Sequence, residues 1–526
     1  MFINFEKNDD MKNTLHFILL GLLLPFAMFS QDGSLDMSFG NNGIAQETFA
    51  ETTRFESVAI QADGKIVVAG SRGLELLVAR FLENGSLDLT FGENGFYYND
   101  LGTAATAYKV LVQPDGKIVA FGTHRESGSK FALMAIRLLA DGSEPDPDFG
   151  ADGVYSNLVS GSSFAEDDIL DAMLLSDGKI AIAGRSYSGQ RDLSLVGRIT
   201  ADGQSDVGFG DNGITLLDFN TFSRINGLVV TAAGDMIVAG TANSSDIFIA
   251  AFESDGTLRA DFGTDGVTTF NEASGVNNGA NDLILLPDGK FLVGGNAFDF
   301  GNVDNDIALY RFLADGDLDT DFGNDGIVKV SRGGNEAIQS LLLQPNGKIL
   351  SGGGTGGFNP DFALSRFSVD GEQDVSFGDD GWSITSVAPG SEADGITAIA
   401  QNSDGSIIAA GFTLDDETYS YALAKFNSNL SATHDLASKG LTVSLYPTII
   451  KDSEIQLNIS AEKNSSLTLK IISVAGEIVE LLDEKLLVST GNQQVSYSLK
   501  HKLPHGAYYL QVTAADGQQM LPFFMN

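Results

Sequence analysis

Asp315-Gly316-Asp317-Leu318-Asp319-Thr320-Asp321-Phe322-Gly323-Asn324-Asp325-Gly326 is one of seven versions of a single loop. The Phe-Gly pairs of those loops begin at Phe39, Phe91, Phe149, Phe209, Phe262, Phe322 and Phe377, and a second Gly follows three residues after each first one. Successive pairs lie 52 to 60 residues apart. A period of that size marks a chain built from repeated supersecondary units.

Working outward from the loop, its final Asn/Asp-Gly pair suits positive φ. A short β-branched stretch follows, such as Gly326-Ile327-Val328-Lys329-Val330, and then a longer apolar run such as Ala337 to Gln344. A tight turn comes next. It is Pro345-Asn346-Gly347-Lys348 in this unit, Ala233-Gly234 in another, and Asp-Gly at 63–64, 115–116, 177–178, 288–289 and 404–405. Asp-Gly or Asn-Gly between alternating apolar residues predicts a hairpin. The outgoing strand, Lys65-Ile66-Val67-Val68-Ala69-Gly70, ends in a Gly that recurs at Gly122, Gly184, Gly240, Gly295, Gly353 and Gly411. A bulge or a close backbone approach is expected there. A fourth run, Ile307-Ala308-Leu309-Tyr310-Arg311-Phe312, leads back to the next acidic loop. Four short strands per unit, with no helical period, predict an all-β fold: a seven-bladed β-propeller over residues 31–429, whose blades must pack in a ring because none can bury both faces alone.

The units resemble the delta-60 repeat, a bacterial family read as a β-propeller. Gly64-Lys65-Ile66-Val67-Val68-Ala69-Gly70 and Leu87-Asp88-Leu89-Thr90-Phe91-Gly92-Glu93-Asn94-Gly95 carry that resemblance. It implies the fold and little about activity, since propellers host many unrelated functions.

The formal net charge of −39 over 526 residues excludes a nucleic-acid partner, which would need Lys and Arg to displace counterions, and disfavours bare anionic lipid. The absence of cysteine excludes disulfides, thiolate metal sites and a lipidated N-terminal Cys. Thr14 to Phe29 is nearly all apolar, with Lys12 before it and Ser30 after it. That pattern reads as a secretory signal over residues 1–30, cleaved near Ser30 or Gln31, with Met11 as an alternative start. No transmembrane span is expected in the mature protein.

A basic residue closes the fourth run in six units, at Arg80, Arg137, Arg198, Arg311, Arg366 and Lys425. An Asp follows eight or nine residues later wherever another loop follows: Asp88, Asp146, Asp206, Asp319 and Asp374. The remaining unit has Ala251 and Arg259 at these two positions, while Asp36 opens the chain with no Arg before it. We expect each Arg to hold the Asp of its following loop in a bidentate contact, with Lys425–Asp36 closing the ring. The alternative is that Asp caps the turn and Arg binds carbonyls. Both assign these residues to structure.

The alternation of Asp315, Asp317, Asp319 and Asp321, and the similar density of Asp141, Glu144, Asp146 and Asp148, suits a calcium loop. Thr320 stands where a helical-hand loop has Gly, no Glu occupies the twelfth position, and turn-capping Asp explains the same residues. No cofactor is otherwise indicated. No catalytic residue is indicated either: there is no HExxH or phosphate loop, His124 is the one histidine expected within the propeller, and Trp382 is the sole Trp for stacking a sugar. Carboxylate pairs for a polysaccharide-acting enzyme, a glycosidase or lyase, are always available among 70 acids, so they indicate little.

Residues 430–440 read as a linker, and residues 441–526 as a small Ig-like β-sandwich, with alternating runs at 455–459, 467–474, 478–482, 494–499 and 508–513. This segment resembles the type A sorting domain of the Bacteroidetes type IX secretion system through Leu445-Tyr446-Pro447, Leu469 to Gly476, and Leu503-Pro504-His505-Gly506-Ala507-Tyr508-Tyr509-Leu510-Gln511-Val512. Thr448 and the ending Pro522-Phe523-Phe524-Met525-Asn526 depart from the family pattern of Asn after Tyr-Pro and basic residues near the terminus. The resemblance implies that Tyr446, Pro447, Gly476, Gly506 and Tyr508 belong to an address read by the secretion machinery. It also implies a secreted or surface-attached product. Binding of a glycan or another surface protein is expected through the variable loops at the ring's faces, Phe298 to Asn305 and Gly353 to Pro360 among them, or at the mouth of its channel.

Overall fold

The computed structural model describes residues 32–428 and 441–525, apart from 48, 50, 163, 188, 244, 273–275, 300–303, 356–358, 389–392, 416–417, 447–448, 451–453, 462, 474–477, 501–502, 504–505 and 515–516. The expected leader and linker lie outside the described residues, as do the tips of the two variable loops singled out above.

Each unit folds as a four-stranded antiparallel sheet, and the described residues contain seven of them, numbered here in chain order of their first strands. These first strands are Thr53–Ile60, Ala105–Val112, Asp167–Leu174, Ser223–Val230, Val276–Leu285, Ala337–Leu343 and Ala393–Gln401. They contact one another in sequence, and the last contacts the first. The chain is therefore an all-β propeller of repeated sheets.

The sequence period carries no phase, and the structure supplies one. Counted from the loop, Ile327–Val330 heads a unit. In the structure it closes the preceding sheet, pairing with Asp304–Phe312 in the register Tyr310↔Ile327. The seventh sheet consequently has no fourth strand downstream. Ile44–Glu47 fills that place, pairing antiparallel with Thr418–Phe426 as Ile44↔Ala424. The N-terminal segment thus latches the ring.

The hairpin turns differ in type from the two-residue form that Asp-Gly suggests. Gly347 alone has positive φ, +80°, and Gln344 bonds both the Gly347 amide (2.9 Å) and the Lys348 carbonyl (2.8 Å). This is a type I turn followed by a glycine bulge. In the Phe-Gly loops both residues of the final pair do take positive φ, as at Asn94 (+53°) and Gly95 (+98°).

The second strands are continuously apolar because both of their faces are buried. Ile66 and Val68 pack toward sheet 7 with Ile408 and Tyr421, whereas Val67 and Ala69 pack toward sheet 2 with Ile118 and Met134. The apolar cores therefore lie between neighbouring sheets. The axis is left to other chemistry.

Residues 441–525 build two sheets around one core that includes Leu457, Leu469, Leu510 and Phe523. One sheet joins Leu441–Tyr446, Glu454–Ala461 and Gly491–Ser498; the other joins Ile449–Ile450, Gly517–Met525, Gly506–Ala514, Ser465–Ser473 and Ile478–Val488. The strands at 441–446, 449–450 and 517–525 were not expected from the alternation, and the expected 478–482 run continues to Val488.

Candidate functional site

Two sets of polar residues organise the propeller. The first is the charged set expected from the repeat. Arg80 Nε donates to Asp88 Oδ2 at 2.8 Å, and the corresponding distances are 2.7 Å for Arg137–Asp146, 2.6 Å for Arg198–Asp206, 2.6 Å for Arg311–Asp319 and 2.7 Å for Arg366–Asp374. Lys425 Nζ lies 3.4 Å from Asp36 Oδ2. None of the Arg contacts is the bidentate fork expected from the residue types. The second oxygen is already in use, because Asp88 Oδ1 accepts the Thr90 amide at 3.1 Å and its hydroxyl. The two alternatives read from the sequence, ion pair and turn cap, are both made by one carboxylate.

The guanidinium also reaches the following unit. Arg80 Nη1 donates to the Ala140 carbonyl, Arg137 Nη1 to Ala201 and Arg311 Nη1 to Val369, at 2.7, 2.7 and 2.8 Å, and Arg366 Nη2 reaches Asp32 Oδ2 at 2.6 Å. Its flat face lies over the loop phenylalanine, 4.7 Å from the Phe91 ring centre in the first sheet. Phe91 is fully buried, and a Cβ on Gly142 of the next unit would fall 2.2 Å from its ring. Arg, Asp and Phe together lock one loop onto the next.

The sequence reading passed over a third charge. In five units a Lys after the hairpin Gly meets the same carboxylate: Lys65–Asp88 at 3.2 Å, Lys117–Asp146 at 2.7 Å, Lys179–Asp206 and Lys290–Asp319 at 2.9 Å, and Lys348–Asp374. Its signal was the Gly-Lys recurring in five of the hairpins. It also explains the odd unit, where Asp235 stands in the Lys position and accepts Arg259 Nη1 at 3.1 Å. The ion pair is kept there with its signs exchanged. Burial alone would raise the carboxyls of Asp88 and Asp206. For Asp88 the Thr90 cap, Lys65 and Arg80 outweigh it, and for Asp206 Lys179, Arg198 and the Gly208 amide do, leaving each at about 2.

The calcium reading finds no assembled site. Asp319 Oδ2 is taken by Arg311 and Lys290 and its Oδ1 by the Asp321 amide, while Asp315 Oδ1 caps Asp317. Among the described residues no group of three or more His, Asp or Glu side chains is placed to hold a metal.

The second set surrounds a cavity of about 580 Å3 whose lining the sequence did not reveal. Every first strand carries a one-residue bulge, visible as a register shift between Phe55 and Ser57 in sheet 1 and at the matching place in the other six. The recurring Gly sits opposite each bulge. A Cβ there would lie 1.8 to 2.0 Å from a first-strand carbonyl oxygen, that of Arg54 in the case of Gly70. The extra residues are Glu56, Tyr108, Leu170, Asn226, Asn281, Gln339 and Thr397, and all of them line the cavity.

A first strand is a sheet edge, so its inward backbone groups lack a ladder partner and need another. Side chains of the preceding sheet supply it. Ser57 Oγ, Asp171 Oδ2 and Asp282 Oδ2 accept the amides of Val110, Leu228 and Leu341 at 3.2, 2.8 and 2.6 Å. Asn226 and Asn281 Nδ2 donate to the carbonyls of Ala280 and Ile338 at 2.6 and 2.7 Å. Lys109 Nζ bonds Asp171 Oδ1 at 2.7 Å and keeps 34% of its side chain exposed. Burial, reinforced by Asp171, pushes the Asp282 carboxyl up to about 6 against the pull of Lys109.

The cavity's charges balance: Arg54 and Arg224 against Glu56 and Asp394. Asp394 Oδ2 accepts the Val387 amide at 2.8 Å. Burial raises the Glu56 carboxyl, and Arg54, 3.3 Å away, opposes that. The Arg54 guanidinium lies 4.4 Å from the Phe412 ring centre. Trp382 is buried between sheets 5 and 6, and His124 Nε2 meets Ser156 Oγ at 2.7 Å outside the cavity lining.

In the C-terminal segment Tyr446 ends a strand opposite Gln456, Gly506 begins one opposite Met525, and Tyr508 stacks on Phe523 at 5.8 Å. Pro447 and Gly476 lie outside the described residues.

A family model described as "Domain of unknown function (DUF5122) beta-propeller" matches residues 61–91, 175–209, 286–322 and 344–377. Each match runs from a hairpin turn to the Phe of a Phe-Gly loop, the span that carries the Lys, Arg and Asp of one clamp. No curated protein matches the chain. Similar solved structures include a protein from Lactobacillus plantarum (15% identity, 64% of this chain and 90% of that one, TM-score 0.40). They also include the Nup133 β-propeller domain of Vanderwaltozyma polyspora (10%, 73% and 97%, TM-score 0.39) and the β-propeller domain of the Trilobed protease of Pyrococcus furiosus (9%, 72% and 95%, TM-score 0.36). The chain is a β-propeller repeat protein.

Proposed function

We propose that the protein is an exported seven-bladed propeller that binds a surface ligand, a glycan or another surface protein, at the mouth of its central cavity. Residues 1–30 act as the leader, residues 31–429 form the ring, and residues 441–526 form an Ig-like sandwich read by a type IX secretion system. The product is released or held at the outer surface.

One observation carries the binding reading. The repeated charged residues are spent on inter-sheet bonds at one end of each sheet, whereas the seven bulge residues around the cavity are of six different types. Repetition serves assembly, and unlike residues gathered at one hollow serve recognition. The lining also favours binding over catalysis. A glycosidase needs two poised carboxyls, and of the two in the lining Asp394 is committed to a backbone amide, leaving Glu56.

The test is retention of the purified chain on envelope material from the producing cells. Tyr108→Ala and Gln339→Ala should abolish retention without changing the melting temperature. Retention that survives both substitutions would refute the site. Removal of residues 441–526 should leave the propeller in the periplasm, and release of that truncated chain to the medium would refute the address.

A further inference from the structure

We infer that the ligand of this cavity is an uncharged oligosaccharide, an inference that rests on the binding reading above. A second hollow of about 440 Å3, between sheets 4 and 5, adjoins the central cavity and shares the lining residues Arg224 and Asn281 with it. Volumes of this order suit small ligands.

Both hollows are lined by amides. Asn226 and Asn281 each spend one N–H on a carbonyl of the next sheet, which fixes the amide plane and leaves the carbonyl oxygen and the second N–H. A fixed acceptor and donor side by side match two neighbouring hydroxyls, and prior fixation lowers the ordering cost of binding. Asn278, only 2% exposed, accepts the Tyr310 hydroxyl at 3.0 Å through Oδ1, while its buried Nδ2 has no hydrogen-bond partner. A buried donor without a partner is a costly arrangement, and this one belongs to a residue that lines the second hollow. Phe222, 51% exposed at the rim, offers a flat apolar face for the C–H side of a sugar ring.

Charge selects against acidic polymers. Two cations face two carboxylates in the cavity, Asp192 adds an acid to the second hollow, and the whole chain carries −39. A polyanion would meet net repulsion at long range and no cationic excess at the site.

Affinity electrophoresis of the full chain tests this in gels containing β-glucan, xylan, mannan, polygalacturonate or alginate. The expected result is retardation in at least one neutral gel and in neither acidic gel. Phe222→Ala and Asn281→Ala should each weaken it by on the order of tenfold; Phe222 is exposed, so its loss leaves the fold intact. Retardation confined to acidic gels, or unchanged by both substitutions, would overturn the inference. Failure in every gel, while envelope retention still depends on Tyr108 and Gln339, would overturn the oligosaccharide and leave the binding site standing. Loss of envelope retention in the unaltered chain would remove the binding reading itself.

Discussion

Asp235 and Arg259 make a residue-scale experiment that the chain has already performed. A buried charge whose partner is removed is expensive, and an exchanged pair is not. Asp235→Lys alone sets two cations against each other and should cost about 1–3 kcal/mol, read as a lower urea midpoint at constant m value. Adding Arg259→Asp and Ala251→Arg rebuilds the cluster of the other sheets and should recover most of that loss. The ordinary clusters also set a pH limit. Asp88 and Asp206, at about 2, lie below the roughly 3.9 of an unfolded Asp. Their stabilisation is thus present above pH ~4 and lost as pH falls toward 2. Asp282, at about 6, has the opposite sign: its contribution is present below pH ~4 and lost as pH rises through 6. Melting temperatures from pH 2 to 8 should show the steep acid limb, and Asp88→Asn should flatten it.

Within one sheet the bulge and its glycine act as a unit. Gly70→Ala would drive a Cβ to 1.9 Å from the Arg54 carbonyl oxygen, and neither backbone can yield without breaking the ladder. Gly64, at φ +82° with only the Glu83 side chain 3.6 Å away, meets conformational strain alone. We expect about 1–2 kcal/mol for Gly64→Ala and failure to accumulate folded protein for Gly70→Ala, compared by soluble yield and thermal melting. These elements also show what the sequence could convey. Loops, turns and the strand glycine repeat, so they were legible, and so were Arg80 and Asp88. The bulges were not, because Glu56, Leu170 and Thr397 have nothing in common beyond pointing at the same space. The strand at Gly517–Met525 was hidden by Pro522, which nevertheless sits opposite Tyr509 within the sheet. The address of strand Ile44–Glu47 was illegible for another reason: its partner lies nearly four hundred residues away, at Ala424.

At the scale of the molecule that strand decides whether the ring closes. Asp32, Gly33 and Asp36 meet Arg366, Phe377 and Lys425, so the first residues described complete the last sheets. Deleting residues 31–47 removes these contacts and exposes the edge of Thr418–Phe426, a row of unpaired backbone groups. The truncated chain should show a broader, lower melting transition for the ring and self-associate, seen by calorimetry and light scattering. An intact ring would remain monomeric under the same conditions.

The same latch governs how the molecule bears load. The chain leaves the ring at Asn427, whose amide bonds the Ser34 carbonyl at 2.7 Å and whose own carbonyl accepts the Gly33 amide at 2.7 Å. Its side chain grips the Leu35 carbonyl at 2.9 Å as well. Tension applied through the C-terminal segment, as on a molecule tethered there, therefore enters a strand held on both flanks. Several hydrogen bonds must fail together before the sheet opens. A ring stapled at the point of attachment can be dragged by its tether without being unwound by it.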